Sequence, residues 1–204
     1  MVHGDDNGLV LPPRVAPVQV VIIPIAGHKP GVLEKARELC SRLEKTMRVK
    51  LDTSDKMAGW KFSEYEMKGV PLRLEVGPRD LENNQCVGVR RDTGDKIILS
   101  LDDLEQSVQD LLDQIHSRMY EKALQSLESR IYEASDWASF TRLAGSQPGF
   151  IRAMWCCDEA CEQKIKDETG ATSRCMPFEP EQQQGACVCC GRPASRMVVW
   201  GKAY

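Results

Sequence analysis

Seven of the nine cysteines fall between Cys156 and Cys190. Cys156-Cys157-Asp-Glu-Ala-Cys161 is followed 26 residues later by Cys187-Val-Cys189-Cys190-Gly191, so two short turns each offer a pair of thiols. Zinc is d¹⁰ and accepts four thiolates from two such turns. With no histidine nearby and no place left for water, a site of this kind closes its shell and serves structure, not catalysis. The start, Met1-Val-His-Gly-Asp-Asp, lacks the basic and apolar regions of a secretory signal. A cytosolic compartment keeps thiols reduced, which favours metal over disulfides. The vicinal pairs Cys156-Cys157 and Cys189-Cys190 leave open which four thiols bind, and they admit a thiol redox protein as a rival. Cys40 and Cys86 sit in apolar patterns and read as core thiols.

A second constellation centres on Gly69-Val-Pro-Leu-Arg-Leu-Glu-Val-Gly-Pro-Arg-Asp80. Leu72, Leu74 and Val76 alternate with Arg73 and Glu75, so a strand buries the first set and presents a cation and a carboxylate on its other face. Asn83-Asn84 opens a second apolar run through Cys86, Val87 and Val89, and Thr93-Gly94-Asp95 turns into a third. Such paired charges can read polar edges, or Glu66 and Arg73 can simply pair with each other as a surface ion pair. Trp60 and Phe62 are by default core aromatics. From Val18 to Ser100 fifteen Lys/Arg stand against twelve Asp/Glu, and from Leu101 onward eleven stand against sixteen. That imbalance is far below the basic footprint which alone would argue for nucleic acid.

The elements that position these groups follow from periodicity. With 204 residues, 42% of them apolar, there is room for one ordinary domain and a small one, and no run approaches a membrane span. Residues 1–17 carry three prolines and read as a linker. Val18–Ile25 suits a central strand covered on both faces. Val32, Leu33, Ala36, Leu39, Cys40 and Leu43 mark a helix, Arg48–Asp52 a strand, and a short helix holds Phe62, Tyr65 and Glu66. Ser100 is the expected cap of a long helix with Leu104, Val108, Leu111, Leu112 and Ile115 on its buried stripe. Gly145-Ser-Gln-Pro-Gly149 marks a boundary, and Met197–Tyr204 reads as a strand.

Gly59-Trp60-Lys61-Phe62, Glu66-Met67-Lys68-Gly69-Val-Pro-Leu-Arg73 and Glu75-Val-Gly-Pro-Arg-Asp80 resemble the anticodon-binding domain of prolyl-tRNA synthetases of the archaeal and eukaryotic type. The resemblance runs from His3 to Tyr204. It implies an α/β fold, a mixed sheet flanked by helices, followed by a small α+β zinc-binding domain. The implied domains are a linker from a class II catalytic domain (1–17), the anticodon-binding domain (18–125) and the zinc-binding domain (126–204). His3-Gly-Asp-Asp and Gly8–Pro17 look like the tail of that family's third catalytic signature, so the chain reads as a fragment without catalytic residues.

The resemblance also assigns residues. In the family an acidic and a basic side chain read the two guanines of the proline anticodon, and Glu66 and Arg73 fill those positions. Phe62 is implied as a stacking surface, with Arg90 and Lys96 at base or phosphate. Family members pair cysteines five apart, matching Cys156 with Cys161. Cys187 with Cys190 keeps Cys-Gly-x-Pro-Ala in register, Cys189 being the alternative and Cys175 a core or loop thiol. The terminal carboxylate at Tyr204 resembles one that reaches back toward the active site. The implied cofactors are structural Zn, with ATP and Mg for the catalytic domain. The implied partner is the tRNA for proline, in a cytoplasmic enzyme that dimerises through its catalytic domain. A free-standing zinc-containing RNA- or protein-binding adaptor is the alternative.

Overall fold

Gly4–Asp5 (β1) and Gly8–Leu9 (β2) pair antiparallel, so the segment before Val18 is not the bare linker its prolines imply. Those prolines lie downstream of the hairpin and do not interrupt it. The computed structural model describes residues 3–178 and 184–202. It divides into two units, Met1–Ala123 and Leu124–Tyr204.

In the first unit, Val20–Pro24 (β3), Val49–Leu51 (β4), Leu72–Val76 (β5), Gln85–Arg90 (β6) and Lys96–Ser100 (β7) form one sheet in the order β4-β3-β5-β6-β7. β3 runs parallel to both neighbours, whereas β5, β6 and β7 form the antiparallel meander that the turn residues announce. The continuous apolar run of β3 is explained by cover on both faces. Val20 and Ile22 join a core with Leu39 and Leu43 of Val32–Leu43 (α1) and with Leu104, Val108 and Leu112 of Leu104–Glu128 (α4). Val21 and Ile23 pack on the opposite face against Tyr65 of Ala58–Met67 (α2), with Phe62 at the margin. A short helix, Pro78–Glu82 (α3), links β5 to β6, with Asp80 accepting the Gly77 N–H at 3.0 Å.

The long helix differs from expectation at its start. Ser100 closes β7, and its hydroxyl accepts the Asp102 N–H in the intervening turn, so α4 begins four residues later at Leu104. Its buried stripe ends at Ile115, and the boundary between the units falls within its C-terminal part.

The second unit contains Ile131–Glu133 (β8), Trp137–Ser146 (α5), Phe150–Trp155 (β9), Glu159–Thr169 (α6), Ala171–Cys175 (β10), Gly185–Ala186 (β11), Pro193–Ala194 (β12) and Arg196–Lys202 (β13). Its main sheet has the order β10-β13-β9-β8, antiparallel except between β8 and β9. Phe140, Ile151, Ile165, Val198 and Trp200 build its core, with the Phe140 and Trp200 rings edge-to-face at 6.1 Å. Both helices begin on aspartate caps, Asp136 accepting from Ser139 N–H and Asp158 from Ala160 N–H.

Gly145-Ser-Gln-Pro-Gly149 is not a domain boundary. Gly145 lies inside α5, and Gly149 turns the chain into β9 at φ 141°, where a Cβ would sit 2.1 Å from the Arg130 carbonyl oxygen. The turn signal is therefore a close approach within one unit. The Tyr204 carboxylate lies outside the described residues.

Candidate anticodon recess and thiolate cluster

The period-2 pattern of β5 sends Leu72, Leu74 and Val76 into the α1/α4 core and Arg73 with Glu75 to the α2 side. Strand register then aligns charges across the sheet. Arg73 pairs with Val89 on β6, and Val89 pairs with Lys96 on β7, so the three stand in one row. The last turn of α2 hangs Glu66 beside this row, and the end of β6 and the turn after it contribute Arg90 and Arg91. Glu66, Arg73, Arg90 and Lys96 line one recess of about 360 Å³ together with Arg91 and Asp5.

Arg73 is not the exposed half of a surface pair. It is 8% exposed, its Nε donates to Glu75 at 3.0 Å, and a terminal nitrogen donates to Glu66 at 3.0 Å. Its guanidinium lies over the Phe62 ring, 4.0 Å from the centroid, and Phe62 also packs, partly buried, against the small core around Tyr65. Arg90 makes a two-pronged bond to Asp92 at 3.0 and 2.8 Å. Arg91 does the same to Asp5 at 2.7 and 2.6 Å and donates from Nε to the Glu66 carbonyl at 2.9 Å. That fork holds the Asp5 carboxyl down at about 2. Lys96 is exposed and makes no ion pair among the described residues.

Beneath α2 lies a network that local sequence patterns do not disclose. Burial alone would raise the Asp52 carboxyl, but hydrogen bonds from Ser54 and Tyr65 and the nearby Lys61 ammonium bring it to about 2. Ser54 donates at 2.8 and 2.6 Å, Tyr65 Oη at 3.1 Å, and Lys61 Nζ stands 3.4 Å away. Lys61 and Tyr65 both belong to α2, so this buried hub fixes the helix that carries Phe62 and Glu66.

The sulfur atoms of Cys156, Cys161, Cys187 and Cys190 lie within 4.8 Å of one another. Cys156 follows β9, and Cys161 sits in the first turn of α6 with its N–H on the Asp158 carbonyl. Cys187 and Cys190 come from the turn between β11 and β12, closed by Gly191 N–H to the Cys187 carbonyl at 2.8 Å and released by Gly191 at φ 73°. Cys156 Sγ is 3.7 Å from both Cys161 Sγ and Cys190 Sγ. Thiolates about 2.3 Å from a tetrahedral zinc stand about 3.8 Å apart, whereas a disulfide requires about 2.05 Å. The four sulfurs thus fit a metal ion and not a bridge. Cys157 and Cys175 are exposed, and Cys189 packs against the neighbouring apolar residues.

Arg192 crosses the two turns. Its Nε donates to Cys190 Sγ at 3.3 Å and a terminal nitrogen to Cys156 Sγ at 3.7 Å, while it also pairs with Asp158 at the α6 cap. The guanidinium brings the Cys190 thiol down to about 6, while burial pushes the Cys156 and Cys161 thiols up.

Comparison with known proteins divides along the same lines. A family described as anticodon binding domain matches residues 19–111, which contain most of the recess, and one described as prolyl-tRNA synthetase, C-terminal, matches residues 137–204, which contain the thiolate cluster. Across all 204 residues the chain is 60% identical to a proline–tRNA ligase of Clostridium novyi (strain NT), covering 43% of that protein. It is 60% identical to the ligase of Clostridium botulinum (strain 657 / Type Ba4) and 56% identical to that of Ruminiclostridium cellulolyticum, again over 43% of each. The chain is similar along its whole length to members of the prolyl-tRNA synthetase family. It matches the anticodon-binding and C-terminal parts of that family and spans less than half the length of these relatives. No helix among the described residues is long and apolar enough to cross a membrane.

The motif reading of this synthetase family named Glu66, Arg73, Arg90 and Lys96 but missed Arg91, Asp5 and Asp52. Arg91 and Asp5 are 86 positions apart in the chain, which no local pattern connects. The one available signal was the Arg90-Arg91 doublet beside the Thr93-Gly94 turn.

Proposed function

We propose that the first unit reads the anticodon of the tRNA for proline, as part of a longer proline–tRNA ligase. The observation that supports this reading is the convergence of Glu66, Arg73, Arg90 and Lys96 on a single recess. Glu66 and Arg73 complement each other at 3.0 Å, and guanine offers a partner to each, N–H donors on its Watson–Crick edge for the carboxylate and O6 with N7 on its Hoogsteen edge for the guanidinium. The base's N–H groups would replace the guanidinium on the carboxylate, and its O6 and N7 would replace the carboxylate on the guanidinium. Insertion trades one charge-assisted pairing for two, in a position already set by the Phe62 ring and the Asp52 hub. Lys96, exposed and free of an ion pair among the described residues, would meet phosphate or a base acceptor. Arg90 would keep its Asp92 partner and shape the recess wall.

Cys156, Cys161, Cys187 and Cys190 would hold one structural zinc, with Arg192 offsetting thiolate charge from outside the shell. There the metal would cross-link the two turns and take no part in chemistry. Attachment of proline to tRNA, with its ATP and Mg²⁺, is assigned to the part of the relatives' length that this chain does not cover, as is dimerisation. Reduced thiols in the cluster suit a cytoplasmic setting.

The test is a titration of the chain against proline-type anticodon stem-loops with and without the two guanines. Preference for the guanines is expected, reduced by Glu66→Gln. Lys96→Ala should weaken all stem-loops alike and flatten the salt dependence by about one ion. A wild-type chain that binds both stem-loops equally would overturn the reading in favour of a general RNA- or protein-binding adaptor.

A further inference from the structure

Four cations line the recess, and three of them already have carboxylate partners. The partnerships are of different kinds. Arg90, at the end of β6, and Asp92, in the turn that follows, are two residues apart and both nearly buried, at 11% and 5% side-chain exposure, so that pair is a fixed part of the wall. Arg73 shares Glu66 and Glu75, which flank it on the same face. Arg91 and Asp5 belong to segments 86 residues apart. The arginine is 7% exposed and anchored through Nε to the Glu66 carbonyl, while the aspartate is 45% exposed.

The hairpin carrying Asp5 is itself seated firmly. A Cβ at Gly8 would lie 2.6 Å from the Met67 backbone, and one at Gly69 would lie 2.7 Å from the Leu9 backbone. Leu11 N–H also bonds to the Gly69 carbonyl at 3.2 Å. The backbone therefore keeps Asp5 at the mouth of the recess, and only its half-exposed carboxylate need turn away to free Arg91. A phosphate group presents two oxygens at the spacing of a carboxylate and takes the same guanidinium fork.

We infer that Arg91 is a further phosphate-binding residue of the recess and that Asp5 occupies it until RNA arrives. The inference rests on the reading that RNA visits this recess, and it adds a residue that reads backbone, not sequence. Asp5 acts as an internal competitor: an RNA phosphate gains Arg91 only by displacing a carboxylate that is tethered beside it. Weakly held polyanions are thereby disfavoured against RNA that also engages Glu66 and Arg73.

The test is a double-mutant cycle of wild type, Asp5→Asn, Arg91→Gln and the double variant, each checked by circular dichroism. Binding is measured by fluorescence anisotropy against the proline-type stem-loop and an unrelated RNA hairpin of equal length. Asp5→Asn should tighten both RNAs by about three- to tenfold, since one arginine is released to phosphate. In the Arg91→Gln background the same change should give less than about a twofold gain. If Arg91→Gln does not fold, Arg91→Lys keeps the charge without the fork and should still shrink the gain. Equal gains in both arginine backgrounds would reduce Asp5 to general repulsion and overturn the inference, as would no gain at all. Loss of preference between the two hairpins in the wild type would instead refute the anticodon reading, and the cycle does not depend on that preference.

Discussion

Arg73→Lys separates the structural role of the recess arginine from its reading role. Lysine keeps the charge but cannot hold Glu75 and Glu66 together, and it loses the planar stack over Phe62. One charge-assisted hydrogen bond is lost at about 1.5–3 kcal/mol, and the stack contributes about 0.5–1 kcal/mol. Because Glu66 is 43% exposed and can turn to water, the lower end applies, and the first unit should lose about 2 kcal/mol. Guanidinium denaturation followed by circular dichroism measures this term. Recognition should fall independently, because an ammonium cannot fork onto O6 and N7, and guanine discrimination should drop by about 1–3 kcal/mol in stem-loop titrations. A variant as stable as wild type would mean the buried fork does not hold the sheet to α2. A destabilised variant with unchanged guanine preference would leave Arg73 a scaffold residue only.

The purified chain should carry one zinc by elemental analysis; Cys161→Ala should abolish it, while Cys157→Ala and Cys175→Ala leave it unchanged, both thiols being exposed outside the cluster. Asp52 has a folded value of about 2, below its ordinary 3.8, so its stabilisation is complete above about pH 4 and is lost as pH falls toward 2. The amount is about 2 kcal/mol, and Asp52→Asn should flatten the acid limb of the first unit's stability curve. Gly149→Ala should cost the second unit at least about 2 kcal/mol by thermal denaturation, because φ 141° and a Cβ 2.1 Å from the Arg130 carbonyl leave alanine no place.

Local chemistry was legible where the chain itself supplies both partners. The alternation of Leu72, Arg73, Leu74, Glu75 and Val76 foretold which side chains are buried in the core and which turn toward α2, and the run at Val18 foretold a strand covered on both faces. Ser100 misled because a serine before acidic residues can end a strand turn as readily as it begins a helix, and its hydroxyl took the Asp102 N–H. Gly145–Gly149 misled for a related reason: glycine there answers a steric approach from Arg130, which sequence does not reveal. Arg73 was expected at the surface because charge is costly to bury, and the offset comes from Glu66, Glu75 and the Phe62 ring acting together. Asp5 and Asp52 were invisible because their partners are assembled by the tertiary fold.

The order of strands in the second unit has a consequence for biosynthesis. β13, the final described strand, lies between β10 and β9 and supplies the ladder to both. Trp200, at the heart of that unit's core, comes with it. A nascent chain that has made α5, β9 and α6 therefore holds two unsatisfied strand edges and an open core until Arg196–Lys202 emerges. The first unit has every strand by Ser100 and can consolidate while translation continues. Premature termination even a few codons before Lys202 should thus yield a protein whose first unit is sound and whose second is a substrate for proteolysis.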